Sequence, residues 1–426
     1  MRTFRNSLPT STQRPLIALC VLLSASLVSS PASASPTCFG EEATIVGGPQ
    51  DETITGTQSR DVIVGRGGDD LIRGLIEDDL LCGGPGKDEI LGGHGADNVR
   101  GGSGADELRG GNMPDVLYGG DGPDEILGGA AFDYLAGGAG NDHLRDRKQG
   151  GGFSSFDGNA GDDVIVGSGR KDRMSGGKGD DDLYGRGGDD SLQGNRGSDR
   201  LYGDSDDVRP GADKLAGGRG PDYLSGYLNS DELKGNKGDD LLEGYEGNDT
   251  IRGGDGGDTI FGNWRNADDR PFEDTDFLFG QDGRDRISGG VRQDVIHGGE
   301  GADEILGGAG NDEMYGAAGL DRLFGKRGDD GLGISPTGQP TDGGPDVMNG
   351  GRGRDNLQGG PGGDSLKGSR GTDNLSGNAG FDACYGGPGN DFCDGGDPPA
   401  AVPDPDPDMC FGCETTMRCE EAPEEA

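Results

Sequence analysis

An aspartate recurs at every ninth residue through most of this chain. In the stretch 110–142, GGNMPDVLYGGDGPDEILGGAAFDYLAGGAGND, the acids are Asp115, Asp124, Asp133 and Asp142. Two places after each of the first three stands an aliphatic residue: Leu117, Ile126 or Leu135. Carboxylates offered at fixed intervals are hard oxygen donors, suited to hard cations. The residues that acid–base or nucleophilic catalysis would need are missing. The three histidines, His94, His143 and His297, stand singly at variable places, and neither a G-x-S-x-G elbow nor an H-E-x-x-H pair occurs. Paired acids such as Asp69–Asp70 and Asp180–Asp181 recur as neighbours in the pattern. The chain therefore reads as a cation binder and not as an enzyme.

Composition agrees. The 426 residues carry a formal net charge of −41, include 93 glycines and are only 29% hydrophobic, too few for a large conventional core. The charge makes cations the expected partners and excludes nucleic acid. Low hydrophobicity with high charge would normally mean disorder, but the regularity of the pattern argues for structure.

The elements that must position these acids follow from the repeat. Written as G-G-x-G-x-D-x-U-x, with U a large apolar residue, 34 units keep the aspartate at the sixth place. They fall into blocks at 56–145, 158–202, 208–333 and 341–394, and within the third block GNWRNADDR (262–270) fills one period without the motif. Glycine supplies the positive φ that tight turns need. A short strand with one inward side chain needs only one apolar residue per nine. One buried aliphatic group cannot offset the entropy of ordering nine residues, and stacked aspartates would repel one another, so a bound cation is needed for folding.

The unit resembles the hemolysin-type, or repeat-in-toxin (RTX), calcium-binding nonapeptide. The resemblance covers about 340 residues. It implies an all-β parallel β-roll in which six residues turn, three form a strand and two units complete a coil. It also implies multiple Ca2+ ions held by aspartates and turn carbonyls of neighbouring coils, so that metal binding is folding free energy. The candidate calcium ligands are Asp70, Asp88, Asp106, Asp124, Asp142, Asp163, Asp181, Asp190, Asp199, Asp222, Asp240 and Asp249, then Asp258, Asp285, Asp303, Asp312, Asp321, Asp330, Asp346, Asp355, Asp364, Asp373, Asp382 and Asp391.

Two units per coil place same-edge turns 18 residues apart. In the first block one edge then carries Asp70, Asp88, Asp106, Asp124 and Asp142, each with glycine at position 4. The opposite edge carries Asp61, Asp79, Asp97, Asp115 and Asp133, with Ser59, Glu77, Gly95, Met113 and Ala131 at position 4. Calcium is expected along the first edge only. The last block, with glycine at position 4 throughout, is expected to load both.

The flanks read differently. Residues 1–34 have the form of an export signal: Arg2, Arg5 and Arg14, then a short serine-interrupted apolar stretch, then Ala32-Ser33-Ala34. The expectation is a secreted, extracellular protein without membrane insertion. Residues 35–55 would cap the roll at 56–394, and 395–426 form a Pro/Asp linker and an acidic tail with cysteines. In an oxidising compartment Cys384 and Cys393, at the same place in successive units, are expected to pair, and Cys38 with Cys82 to staple the start. Cys410, Cys413 and Cys419 leave one thiol over, and the C-x-x-C at 410–413 is better read as a disulfide than as a zinc site.

Breaks at 146–157, 203–207 and 334–340 should be loops bulging from turns, and Trp264 and Phe272 are candidates for contact with a partner, although a packed plug is the plainer reading. The proteases, lipases and cytotoxins that carry such repeats also carry a separate active domain, and no segment here is long enough to be one. Two functional classes remain. One is a structural or adhesive calcium-binding protein of the cell exterior, partnered by a cell-surface polymer or protein. The other is a non-catalytic, calcium-dependent scaffold for a secreted enzyme or toxin.

Overall fold

The computed structural model describes residues 35–146, 153–204, 210–263, 275–333 and 344–396, with the short pieces 409–411, 415–417 and 420–421. The export signal, Trp264 and Phe272 lie outside these residues. The described chain is all-β, a parallel roll of about 18 coils. Each strand of the roll pairs in parallel with the strand one full coil on, so Leu108 sits beside Ile90 and Ile126 in one sheet, and Leu117 beside Val99 and Leu135 in the other. Neither sheet closes: among the described residues the end strands of one, Ile45–Val46 and Thr415–Met417, pair only with Val62–Val64 and Phe392–Asp394, and those of the other, Thr53–Thr55 and Glu420–Glu421, only with Leu71–Ile76 and Met409–Phe411.

The core is a double file of single side chains. Position 8 of each unit points between the sheets, from Ile54 and Ile63 to Cys384 and Cys393, and nearly every one is fully buried. Outward positions carry cross-coil pairs, such as Tyr184 stacked on Tyr202 with centroids 4.9 Å apart.

Most strands are longer than the three residues expected, although some, such as Val62–Val64 and Val164–Val166, are not. Glu89–His94 runs through positions 7 to 9 and on into positions 1 to 3 of the next unit, and pairing continues at Gly93–Gly111. The turn proper is therefore only positions 4 to 6. The reason is position 1, whose inward glycine lets the ladder continue past the buried aliphatic residue.

The roll also starts earlier and runs through its breaks. Unit 47–55 already follows the coil, with Ile54 beside Ile72 and Glu52 in the aspartate's place. A hairpin of Thr37–Cys38 with Glu41–Glu42 packs Cys38 against Val62, Val64 and Leu80 outside the sheet. Equivalent residues flanking the breaks lie 21, 23, 27 and 25 residues apart instead of 18. Gly262 and Asp276 act as positions 1 and 6 of one unit, so the register advances by 27 residues there in place of 18. In the sequence, Asp269 stands at the eighth place of 262–270, where the other units carry an apolar residue.

Within the break at 146–157 the strand Ser155–Ala160 begins and buries Phe156 in the core file. Asp146 takes position 1 there and Ser154 position 6, and the Ser154 hydroxyl donates to Asp146 Oδ2 at 2.8 Å. Where position 1 carries a side chain, position 6 has shrunk to make room.

The Cys38–Cys82 disulfide is formed. The Cys384–Cys393 pair is not: Cys384 is a buried thiol, whereas Cys393 and Cys410 are both disulfide-bonded. Cys384 and Cys410 are register partners in one sheet and Cys393 faces them from the other, so Cys393 has more than one inward sulfur within its layer.

Candidate metal centres

Each aspartate enters its turn immediately before the strand that buries the aliphatic residue two places on, so the two side chains share one coil layer. All the candidate ligands except half-buried Asp346 are buried. They form two continuous files, one per edge. On the first edge the backbone N–H of Asp70 donates to Asp88 Oδ1 and that of Asp88 to Asp106 Oδ1, both at 2.8 Å, and the pattern continues through Asp124, Asp142, Asp163, Asp181 and Asp199 to Asp382. The second edge runs from Asp61 through Asp79, Asp97, Asp115 and Asp133, then Ser154, Asp172 and Asp190, to Asp391.

The second carboxylate oxygen is the exception to this satisfaction. Oδ2 of Asp70, Asp88, Asp106, Asp124 and Asp142 is buried with no hydrogen-bond donor, and so is Oδ2 of Asp79, Asp97, Asp115 and Asp133. At two places a local group fills the role. Thr57 N–H donates to Asp61 Oδ2, and Ser168 donates to Asp172 Oδ2 through both its N–H and its hydroxyl. Each Oδ2 sits in a cradle that only glycine leaves open: a Cβ on Gly74 would lie 2.5 Å from Asp79 Oδ2, and one on Gly128 2.6 Å from Asp133 Oδ2. Position 1, which sequence reasoning passed over in favour of position 4, is thus the residue that admits the carboxylate.

Burial drives Asp88, Asp115, Asp124, Asp181 and Asp190 away from the charged form. Desolvation comes first and like-charged neighbours add to it, while the backbone N–H donor pulls the other way. Asp88 is raised from 3.8 to about 6, Asp124 to about 7, and Asp115 and Asp181 to about 8. Asp190, close to Asp213, is pushed to about 10. Buried carboxylates with an oxygen to spare need either a proton or a cation.

The donor set fits calcium, which takes carboxylate and carbonyl oxygens together. No three His, Cys, Asp or Glu side chains converge among the described residues, so an ion here must also use backbone oxygens. These are stacked in register: a Cβ on Gly104 would run into the Gly86 carbonyl, and one on Gly122 into that of Gly104. Calcium bound at the edges supplies charge neutralisation and links between coils.

The edges differ at position 4. Gly68, Gly86, Gly104, Gly122 and Gly140 all have φ between 105° and 144°. Opposite them Ala131 is held at 118° and Glu77 at 68°, while Ser59 and Met113 leave the positive-φ region altogether. The aspartates alone do not distinguish the two edges; the backbone does.

Fold and edges together define a parallel β-roll of glycine–aspartate nonapeptides with cation-binding turns. The family model described as RTX calcium-binding nonapeptide repeat (4 copies) matches eleven segments, from 46–81 to 367–397. The chain belongs to that family and is a calcium-binding repeat protein. No curated protein matches it significantly.

Proposed function

We propose that this is a secreted protein whose roll forms as it meets extracellular calcium and then serves as a structural or adhesive rod at the cell exterior. Carrying this reading is one observation: two files of aspartates, one interrupted only by Ser154 and nearly all buried, most with an oxygen lacking a donor. Extracellular calcium modules bind at roughly 10⁻⁴ to 10⁻³ M, so such a chain stays unfolded inside the cell and stiffens outside it. Residues 1–34 are the export signal, cleaved after Ala34, and the Cys38–Cys82 disulfide fits an oxidising compartment.

In the first block the ions lie along the edge of Asp70, Asp88, Asp106, Asp124 and Asp142. On the other edge Met113 and Ser59 lack the positive φ that the position-4 glycines of the first edge share. In the last block, where position 4 is glycine throughout, both edges are loaded: Asp346, Asp364 and Asp382 on one, Asp355, Asp373 and Asp391 on the other.

Fractionation of producing cells tests the proposal. Protein recovered outside the cell with Ser35 at its N-terminus, and released from the surface by chelator, supports it. Full-length protein retained in the cytosol contradicts it.

A further inference from the structure

One face of this acidic molecule is basic. Lys178, Arg196, Arg219 and Lys237 occupy position 3 on four successive coils of one sheet, in the strands Arg173–Lys178, Ser191–Arg196, Lys214–Arg219 and Glu232–Lys237. They are direct register partners and all are exposed. At about 4.8 Å per coil, the file spans about 14 Å. Arg173, Lys214 and Lys234 also point outward from these strands, and the one outward carboxylate, Glu232, is taken by Lys214 and Lys234. Asp180 and Asp239, on the adjoining turns, accept hydrogen bonds from the Ser198 and Gly257 N–H groups.

Like charges stacked on neighbouring strands destabilise a sheet. Elsewhere the roll avoids this by setting an acid beside the cation, as in Arg200–Asp182 and Arg286–Glu304. Here the repulsion stands, relieved only at the end of the file, where Lys237 meets Asp255. Among the described residues Lys178, Arg196 and Arg219 have no ion-pair partner in the structure. A shorter file of the same kind, Arg327, Arg352 and Arg370, stands at position 3 of the other sheet.

We propose that this face, from Lys178 to Lys237, is a docking surface for a linear acidic polysaccharide, whose charges repeat along its length as the cations do along the roll. The remaining outward side chains favour a sugar polymer. Ser175, Gln193, Asn195 and Asn236 offer hydroxyl and amide groups to sugar hydroxyls, and the Asn195 amide already donates to Ser175 Oγ at 3.1 Å. No aromatic side chain stands on these four strands to stack a nucleic-acid base, and the face has no apolar surface beyond Ala216 to enter a membrane. The inference rests on the calcium reading, because a net charge of −41 repels a polyanion until bound calcium offsets it.

The test uses the full chain with immobilised chondroitin sulfate, and with neutral dextran and oligo(dT) as comparisons, at about 0.15 M salt and about 1 mM calcium. Circular dichroism of the same samples reports folding. The expected result is salt-sensitive binding to chondroitin sulfate alone. The triple variant Lys178→Gln, Arg196→Gln, Arg219→Gln should stay folded, lose about tenfold or more in affinity, and show a salt slope shallower by about three. A charge-matched variant of ion-paired cations, Arg60→Gln, Arg145→Gln, Arg286→Gln, should bind as the parent does. Equal loss in both variants, equal binding of oligo(dT), or no binding by a calcium-folded parent overturns the docking surface. Folding indifferent to calcium overturns the calcium reading instead, and the two variants still judge the docking surface.

Discussion

Acid should fold this protein when calcium is absent. Asp88 has a folded-state pKa of about 6 against 3.8 in an ordinary carboxyl, Asp124 about 7 and Asp115 about 8. One pKa unit is about 1.4 kcal/mol, so ionised Asp88 destabilises the metal-free roll by on the order of 3 kcal/mol, and Asp115 by more. A handful of such groups exceeds the stability of a typical domain, about 5–15 kcal/mol. Because the folded values are raised, the stabilisation is fully present below about pH 4 and is lost as pH rises through about 6 to 8. Calcium-stripped buffer is the right medium, since chelators weaken as they protonate. Followed by far-ultraviolet circular dichroism, the stripped chain should lack strand signal at about pH 8 and gain it between about pH 7 and pH 4. A chain still without strand signal at pH 4, or fully folded at pH 8, would refute the reasoning.

Other perturbations follow from the same structure. Leu192→Ala opens a hole in the single-file core and should destabilise by about 2–5 kcal/mol; because folding is linked to calcium, the titration midpoint should rise, and an unchanged midpoint contradicts the linkage. Cys38→Ser removes a bond closing a separation of 44 residues, for which loop entropy gives about 4 kcal/mol; the Tm of the calcium-loaded protein should drop, and an unmoved Tm would show that the first coils need no staple. Met113→Gly with Ala131→Gly restores the position-4 glycine on the altered edge and should raise the number of calcium ions counted by equilibrium dialysis, whereas an unchanged count would contradict loading along a single edge.

The coil length and both edges were legible in the sequence because one period controls everything. The inward file from Ile63 to Cys393, the 18-residue register and the partition of Asp70 and Asp61 onto opposite edges all follow from nine residues per half-coil. What escaped notice depends on exchanges between positions. The unit containing Ser154 and Phe156 hides from a motif that demands aspartate, because Asp146 at position 1 supplies the carboxylate that position 6 gave up. Conversely, 262–270 keeps the period by length alone, with Asp269 where an apolar residue belongs, and the register advances by 27 residues across it. Position 1 looked like one turn glycine among several, and only the packing shows it holding the space for Oδ2. The expectation for Cys38 and Cys82 holds, whereas that for Cys384 and Cys393 fails because it considers only neighbours along the repeat. The third inward sulfur, Cys410, comes from beyond the repeats and stacks beside Cys384.

Calcium titration of the stripped chain at about pH 7.5, followed by circular dichroism with ion counting in parallel, tests the central claim most directly, that calcium and folding are one event. The account predicts a chain without strand signal at the start, a cooperative gain of strand at roughly 10⁻⁴ to 10⁻³ M calcium, and ions bound in step with the signal. Strand signal complete before any calcium is added, and unchanged by it, would contradict the account.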